Sequence, residues 1–500
     1  MERPFSKLRL RIYFFICALI CQLVAPIIPA FDTSHLVPLK PSSNLPHSTM
    51  LPGFSQASQT TDHQIDLSRY PLQLIPSAGL RWDALHYLDV ALSGTYTYEH
   101  QYAFSPGVPI ILRLAHTGKE LVYNLVSSPS LLRLTNIQLR STLVELVNAF
   151  LVAMLAVQPG LALYDLTERI THSREFSFLT LLVHVILGAP PVIIRSAYAE
   201  PFFAWFTFEG LSSYHQQKYL AASLYFGLAT AFRTNGIILP CFLVYGLLVQ
   251  PLFSGLLTNL KNYPSARLAD LPKGLYNIFR ELNCTRTIYC LILVIISLSP
   301  FIAQQYIAYI TFCQPPSPRP WCSSRVPLVY SFVQSHYWDV GPWRYWTPAQ
   351  IPNFLLAMPI LTLAFSSVAL FFMVANRAIR PKQKMLDSSS DLALSPSMML
   401  TLLPYAIHAL VLSLMLFIAA HVQIALRVLP AGTPWISWAG ASLIIQSVKH
   451  RGDVAERKES SGANSRGGSW WPFLSNLWLW WSVVWVFVSS VLWLAFLPPA

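Results

Sequence analysis

Long apolar runs, separated by short polar stretches, make up most of the chain. They fall at 12–30, 141–163, 176–194, 219–253, 288–309, 354–374, 399–420, 435–445 and 477–497. Most approach the roughly 20 residues that a helix needs to cross a bilayer. They are too long and too uniformly apolar for strands, so each reads as a helix facing lipid or buried on all sides. The 219–253 run has about 35 residues, nearly two spans. Arg233-Thr234-Asn235-Gly236 interrupts it, which predicts a broken helix or a hairpin. A further short span fits 202–211. The expected fold is an all-α polytopic membrane protein with about nine to eleven transmembrane helices.

The polar stretches then divide the chain. Residues 1–30 form a basic end and a first helix; a cleaved signal peptide also fits, but a first helix that sets orientation favours a retained anchor. Residues 31–80 hold a Ser-, Pro-, His- and Thr-rich stretch (31–70) that reads as a flexible luminal insertion. Residues 81–140 form a luminal loop, whose amphipathic part from 110 onward is expected along the membrane surface. Residues 141–310 are a block of transmembrane helices, 311–353 a second luminal loop, and 354–500 the C-terminal helices. Arg267, Lys273, Arg280 and Arg286, then Arg377, Arg380, Lys382 and Lys384, then Lys449, Arg451, Arg457, Lys458 and Arg466, mark three loops as cytosolic.

Composition agrees. Hydrophobic residues make up 54% of the chain and charged residues 11%, against about 25% charged in soluble domains. The net charge of +12 sits between spans, where the positive-inside rule places it, so nucleic acid is not implied. Seven Cys without CxxC spacing suggest neither a disulfide scaffold nor a metal site. No phosphate-binding loop, dinucleotide fingerprint, HExxH or GxSxG occurs.

Chemistry concentrates in four places. Arg81, Trp82, Asp83, His86, Glu99 and His100 crowd into the first loop. Asp83 and His86, three apart, share a helix face. An interfacial helix and a catalytic segment both fit this stretch. Glu200 ends an apolar span, and Arg233 with Asn235 interrupts another; a snorkelled anchor and an anion contact both fit Arg233. The second loop carries Gln334, Tyr337 and Trp338 among six aromatics between Phe332 and Trp346. These suit either an interfacial belt or stacking on sugar rings. Cys313 and Cys322 lie in the same loop, on the expected oxidising side, where they are able to pair. His421, Gln423 and Arg427 follow a span and suit a lipid phosphate or a snorkelled turn.

Ordered motifs at all four places resemble one family. Trp82-Asp83, His86-Tyr87, Gly94, Tyr98-Glu99-His100 and Ala103-Phe104 with Pro106 resemble the first luminal loop of the GPI mannosyltransferase 2 (PIG-V type) family; Ser105 stands where that family usually has an aromatic. The similarity continues through Ala197-Tyr198-Ala199-Glu200 and Arg233-Thr234-Asn235-Gly236. It is densest in Pro320-Trp321-Cys322, Pro327 with Tyr330, Val333-Gln334, Tyr337 to Gly341, and Gln350 to Phe354. His421-Val422-Gln423 with Arg427 closes it.

The resemblance implies a GT-C-type glycosyltransferase of the endoplasmic reticulum membrane with a luminal active site. The implied donor is dolichyl-phosphate mannose, the acceptor a mono-mannosylated GPI glycolipid, and the product an α1,6-linked second mannose. A small membrane partner subunit fits the same picture, and neither a cofactor nor a metal is expected. Asp83 is expected to act as the base or to orient the acceptor, with Glu99, His86 and His100 as second candidates. Arg81, Trp82, Glu200, Arg233, Asn235, Gln334, Tyr337, Trp338, His421, Gln423 and Arg427 are the expected substrate contacts. Three other readings remain at this point: another dolichol-dependent transferase, a non-catalytic transferase subunit, and a lipid or solute transporter using Asp83, Glu200 and Arg233 as relays. The last is disfavoured by the absence of a detectable internal repeat.

Overall fold

Where they are described, the apolar runs fold as helices, and no strand occurs among the described residues. The structure is a computed structural model and describes residues 7–24, 83–126, 137–187, 198–251, 284–315, 318–379, 395–461 and 471–494. The 31–70 insertion, most of the first two basic loops, Arg81 and Trp82 lie outside these residues; the third basic stretch, expected as a loop from Lys449, instead continues a helix through Ser461. Helix α1 (Lys7–Val24) rests on α4 (Ile137–Thr171). Leu10 and Phe14 of α1 pack with Tyr164 and Leu181, and Arg11 lies 3.6 Å from Asp165. Helices α2 (Asp83–Ser93) and α3 (Gly107–Val126) flank the first polar loop.

The next helices are α5 (Arg174–Leu187), α6 (Glu200–His215) and α7 (Tyr219–Phe232). The interrupted apolar run is a broken helix. Helix α7 stops at Arg233, whose backbone is extended (φ −145°, ψ 135°). A 3-10 turn, Thr234–Ile238, follows, then α8 (Pro240–Val244) and a π turn, Tyr245–Val249. Proline suits the first turn of α8, where its missing N–H would have no partner within the helix. Beyond these come α9 (Cys284–Phe312), α10 (Val329–Tyr337), α11 (Ile351–Ile379), α12 (Pro396–Ile418), α13 (Ala425–Gly432), α14 (Trp435–Ser461) and α15 (Trp471–Leu494).

Among the described residues, three helical stretches are long and apolar enough to cross a membrane: Cys284–Phe312, Pro348–Asn376 and Pro396–Ile418. A fourth is added if Val422–Gly432 and Trp435–His450, bent by 86°, count as one span. The chain is thus an all-α polytopic membrane protein. Lipid tails are as apolar as the helices, so close packing and interhelical hydrogen bonds must hold them together. Leu163, Leu166, Phe203, Phe208, Phe226, Phe242 and Tyr405 fill the main core. Trp438 Nε1 donates to Thr167 Oγ1 at 2.8 Å, tying α14 to α4. Trp435 Nε1 donates to Ser367 Oγ at 2.9 Å, tying α14 to α11. A smaller core of Tyr102, Ala308, Trp321, Val329 and Val333 seats both polar loops on α9.

Candidate active site

The first polar loop is built around two amides. Gln101 Oε1 accepts the Thr97 and Tyr98 backbone N–H at 2.8 and 3.0 Å, and its Nε2 donates to Asp89 Oδ2 at 2.6 Å. Gln304 of α9 donates to the carbonyls of Tyr102 and Phe104 at 3.2 and 2.8 Å. Gly94, at φ +75°, makes the left-handed turn that starts the loop, a conformation glycine adopts without steric cost. Phe104 is thereby fixed facing the first turn of α2.

The second polar loop is pinned to the end of α12. Gly341 N and Trp343 N donate to the carbonyls of Ala419 and Ile418 at 3.0 and 2.8 Å. Trp346 Nε1 reaches the Phe417 carbonyl at 2.9 Å. These bonds satisfy carbonyls that a helix end leaves without internal partners. A disulfide joins Cys313 to Cys322, as the sequence allows, with the Cα atoms 5.6 Å apart. It flanks Trp321, whose indole N–H donates to Glu99 Oε1. Tyr337 OH donates to Glu99 Oε2 at 3.3 Å. Glu99 is buried, so its carboxylate clasps the two loops together.

Behind the loops lies a chain of four charges drawn from four elements. Asp83, the first residue of α2, has Oδ2 3.5 Å from Arg427 Nη1 on α13. Arg427 Nη1 also lies 3.6 Å from Glu200 Oε1 at the start of α6. The same Glu200 oxygen accepts from Arg233 Nη1 at 2.5 Å. The Arg427 guanidinium sits over the Tyr198 ring, 5.3 Å from its centroid, and its Nε has no hydrogen-bond partner. Glu200 is 2% exposed. An unpaired charge at that depth is strongly unfavourable; two guanidinium partners offset it.

Asp83, Arg233, Asn235, Gln334, Trp338, His421 and Arg427 all line one cleft of about 240 Å³. Tyr87, Phe104, Thr234 and Tyr330 also line it. His421 Nε2 is bonded to the Trp338 carbonyl at 2.9 Å and its ring stacks on Tyr345 at 4.7 Å, which fixes Trp338 in the wall. Other expected residues lie beside the cleft. His86 stacks on the Phe104 ring at 4.6 Å and meets His100 edge-on at 5.6 Å. Glu99 and Tyr337 belong to the clasp. Gln423 Oε1 accepts from Tyr345 OH at 2.8 Å.

Burial and the neighbouring His100 lower the His86 pKa to about 4, against the pull of Asp83. Burial also lowers that of His100, partly offset by Glu99. Neither imidazole then adds positive charge near neutral pH. The cations lining the cleft are Arg233 and Arg427. Among the described residues no three His, Cys, Asp or Glu gather as metal ligands.

Tyr198, beneath Arg427, and Thr234 and Tyr330, on the cleft wall, belong to the site although only their motifs, not their own chemistry, point there. Their uncharged hydroxyls carried no separate signal. Phe104 and Tyr87 fall in the same class, as motif aromatics that turn out to form the cleft wall.

A carboxylate and two arginines thus meet on one aromatic-walled cleft of an all-α membrane bundle, and the similarity to known proteins makes that bundle a membrane glycosyltransferase. The Mannosyltransferase (PIG-V) family profile matches residues 73–500, and the chain belongs to that family. It is 33% identical over 470 residues to GPI mannosyltransferase 2 of Cryptococcus neoformans var. neoformans serotype D (strain B-3501A), covering 92% of this chain and 96% of the relative. It is 32% identical over 395 residues to GPI alpha-1,6-mannosyltransferase 2 of Homo sapiens, covering 73% and 72%. The Cricetulus griseus protein of the same name is 31% identical over 395 residues, with 73% and 72% covered. No solved structure matches the chain.

Proposed function

We propose that this mannosyltransferase adds the second mannose, in α1,6 linkage, to a mono-mannosylated GPI precursor. The donor is dolichyl-phosphate mannose and the cleft opens at the luminal face of the endoplasmic reticulum. The observation that carries this reading is the convergence of Asp83, Arg233 and Arg427 on one cleft. The names of the relatives support GPI as the acceptor class and α1,6 as the linkage.

The cleft suits an inverting transfer. The 6-hydroxyl oxygen of the acceptor mannose attacks the donor anomeric carbon from the face opposite the phosphate. The bond from that carbon to the phosphate oxygen breaks, and both electrons leave with dolichyl phosphate. Asp83 takes the hydroxyl proton. Arg233 and Arg427, which both line the cleft, stabilise the charge that develops on the leaving phosphate. Trp338 and Phe104 present aromatic faces to the sugar rings. Asn235, Gln334 and His421 offer polar atoms to hydroxyls. A small membrane partner subunit belongs to the same proposal.

The test is made in cells depleted of the protein and re-supplied with wild type or Asp83→Ala. GPI precursors are expected to accumulate with one mannose, and wild type alone is expected to relieve the block. Accumulation at another step would overturn the acceptor assignment. Rescue by Asp83→Ala would remove Asp83 from the chemistry.

A further inference from the structure

The sequence placed Glu200 among the substrate contacts, yet it does not line the cleft. It stands behind the cleft, 2% exposed, with one oxygen facing two arginines that do line it. We propose that Glu200 is a positioning residue that holds Arg233 and Arg427 side by side and keeps Arg427 from closing fully onto Asp83. This rests on the reading of Asp83 as the base.

The geometry carries the argument. Arg427 Nη1 lies nearly midway between two carboxylates, at 3.5 Å from Asp83 and 3.6 Å from Glu200. Neither contact is a close hydrogen bond. The Tyr198 ring beneath the guanidinium supplies a cation–π surface that limits its tilt. Arg233, by contrast, bonds Glu200 closely, and that bond aims it into the cleft from the end of α7. The two acids and two guanidiniums of the cluster balance in charge. Without the Glu200 carboxylate, Arg427 has Asp83 as its one remaining carboxylate partner in this cluster and pairs with it directly. The carboxylate meant to accept a proton is then engaged, and Arg427 is drawn off the phosphate position. Both arginines remain charged, so donor capture suffers less than turnover. Such a defect appears in kcat more than in KM.

The experiment uses the full-length protein reconstituted in lipid. Transfer from radiolabelled dolichyl-phosphate mannose to a mono-mannosylated GPI acceptor is measured, with rates normalised to folded protein by size exclusion. Glu200→Gln is expected to lower kcat at least about tenfold, with donor KM within about threefold of wild type, as befits impaired proton transfer. Glu200→Asp keeps the charge but is one methylene shorter. It should retain Arg233 and release Arg427, giving an intermediate loss in kcat, and it serves where the glutamine variant does not fold. Asp83→Asn is measured in parallel. If Asp83→Asn is inactive while both Glu200 variants turn over like wild type, the inference fails alone. A rise in donor KM at unchanged kcat overturns it as well, because Glu200 would then serve binding. If Asp83→Asn is fully active, the catalytic reading and this inference fall together.

Discussion

Gly236 is not among the residues lining the cleft, yet three that line it, Arg233, Thr234 and Asn235, depend on the turn it completes. A Cβ added at Gly236 would lie 2.6 Å from Thr230 Cα and 2.7 Å from Thr230 N. Ordinary van der Waals contact begins at 3.4 Å, so the first is short by about 0.8 Å. Both contacts are with the backbone of α7, which cannot rotate out of the way, so the turn itself must move. Gly236 N donates to the Arg233 carbonyl at 2.9 Å and Arg233 N to the Ala229 carbonyl at 3.0 Å. The shift therefore passes to Arg233, whose guanidinium must meet Glu200 on one side and the cleft on the other. Overpacking of this kind costs about 1–3 kcal/mol. Misplacing a catalytic group by about 1 Å costs on the order of a hundredfold in rate. Gly236→Ala should thus give a folded protein with a lowered Tm and roughly a hundredfold slower transfer. Thermal unfolding in detergent and initial rates at saturating donor test this. A wild-type rate at an unshifted Tm would refute the reasoning.

Three further outcomes follow from the same geometry. Glu99→Gln and Trp321→Phe each weaken the clasp between the polar loops; a double-mutant cycle on unfolding should give a coupling of about 1–3 kcal/mol, as for a buried hydrogen bond to a charged group, and additivity would deny the clasp. Cys313→Ser with Cys322→Ser opens a short covalent loop, and a loss of about 2–3 kcal/mol is expected from chain entropy; an unchanged Tm under oxidising conditions would contradict it. Because the His86 pKa is lowered from 6.5 to about 4, the unfolded chain binds its proton first as pH falls. The stability from keeping His86 neutral is complete above about pH 6.5 and is lost between about 6.5 and 4, up to about 3 kcal/mol. His86→Phe should flatten the fall in Tm across that window, and an unaltered fall would exclude His86 as its source.

The sequence displayed some of this openly. Helix positions were legible because an apolar run of membrane length has few other structures available. The break at Arg233 was legible because a charge, an amide and a glycine together have no place in an uninterrupted span. The convergence of Asp83, Glu200, Arg233 and Arg427 was not. These residues come from four helix ends far apart in the chain, and no local pattern brings them together; their motifs alone suggested a shared site. Glu99 shows the opposite difficulty. Its acidity made it a candidate base, but two donors from the second loop, Trp321 and Tyr337, occupy its oxygens. A sequence does not reveal when a carboxylate is engaged in holding loops together. Gln101 and Gln304 have no signature in the sequence, because uncharged amides carry no visible cost until burial shows what they bond.

The central claim is that Asp83 and the two arginines transfer mannose from a lipid phosphate to a GPI glycan. The most direct measurement reconstitutes the wild-type protein and Asp83→Ala with dolichyl-phosphate mannose and a mono-mannosylated GPI acceptor. The product is then digested with a mannosidase specific for the α1,6 linkage. The account predicts one added mannose, released by that enzyme, from wild type and none from Asp83→Ala. Equal transfer by both proteins, or a product resistant to that enzyme, would contradict it.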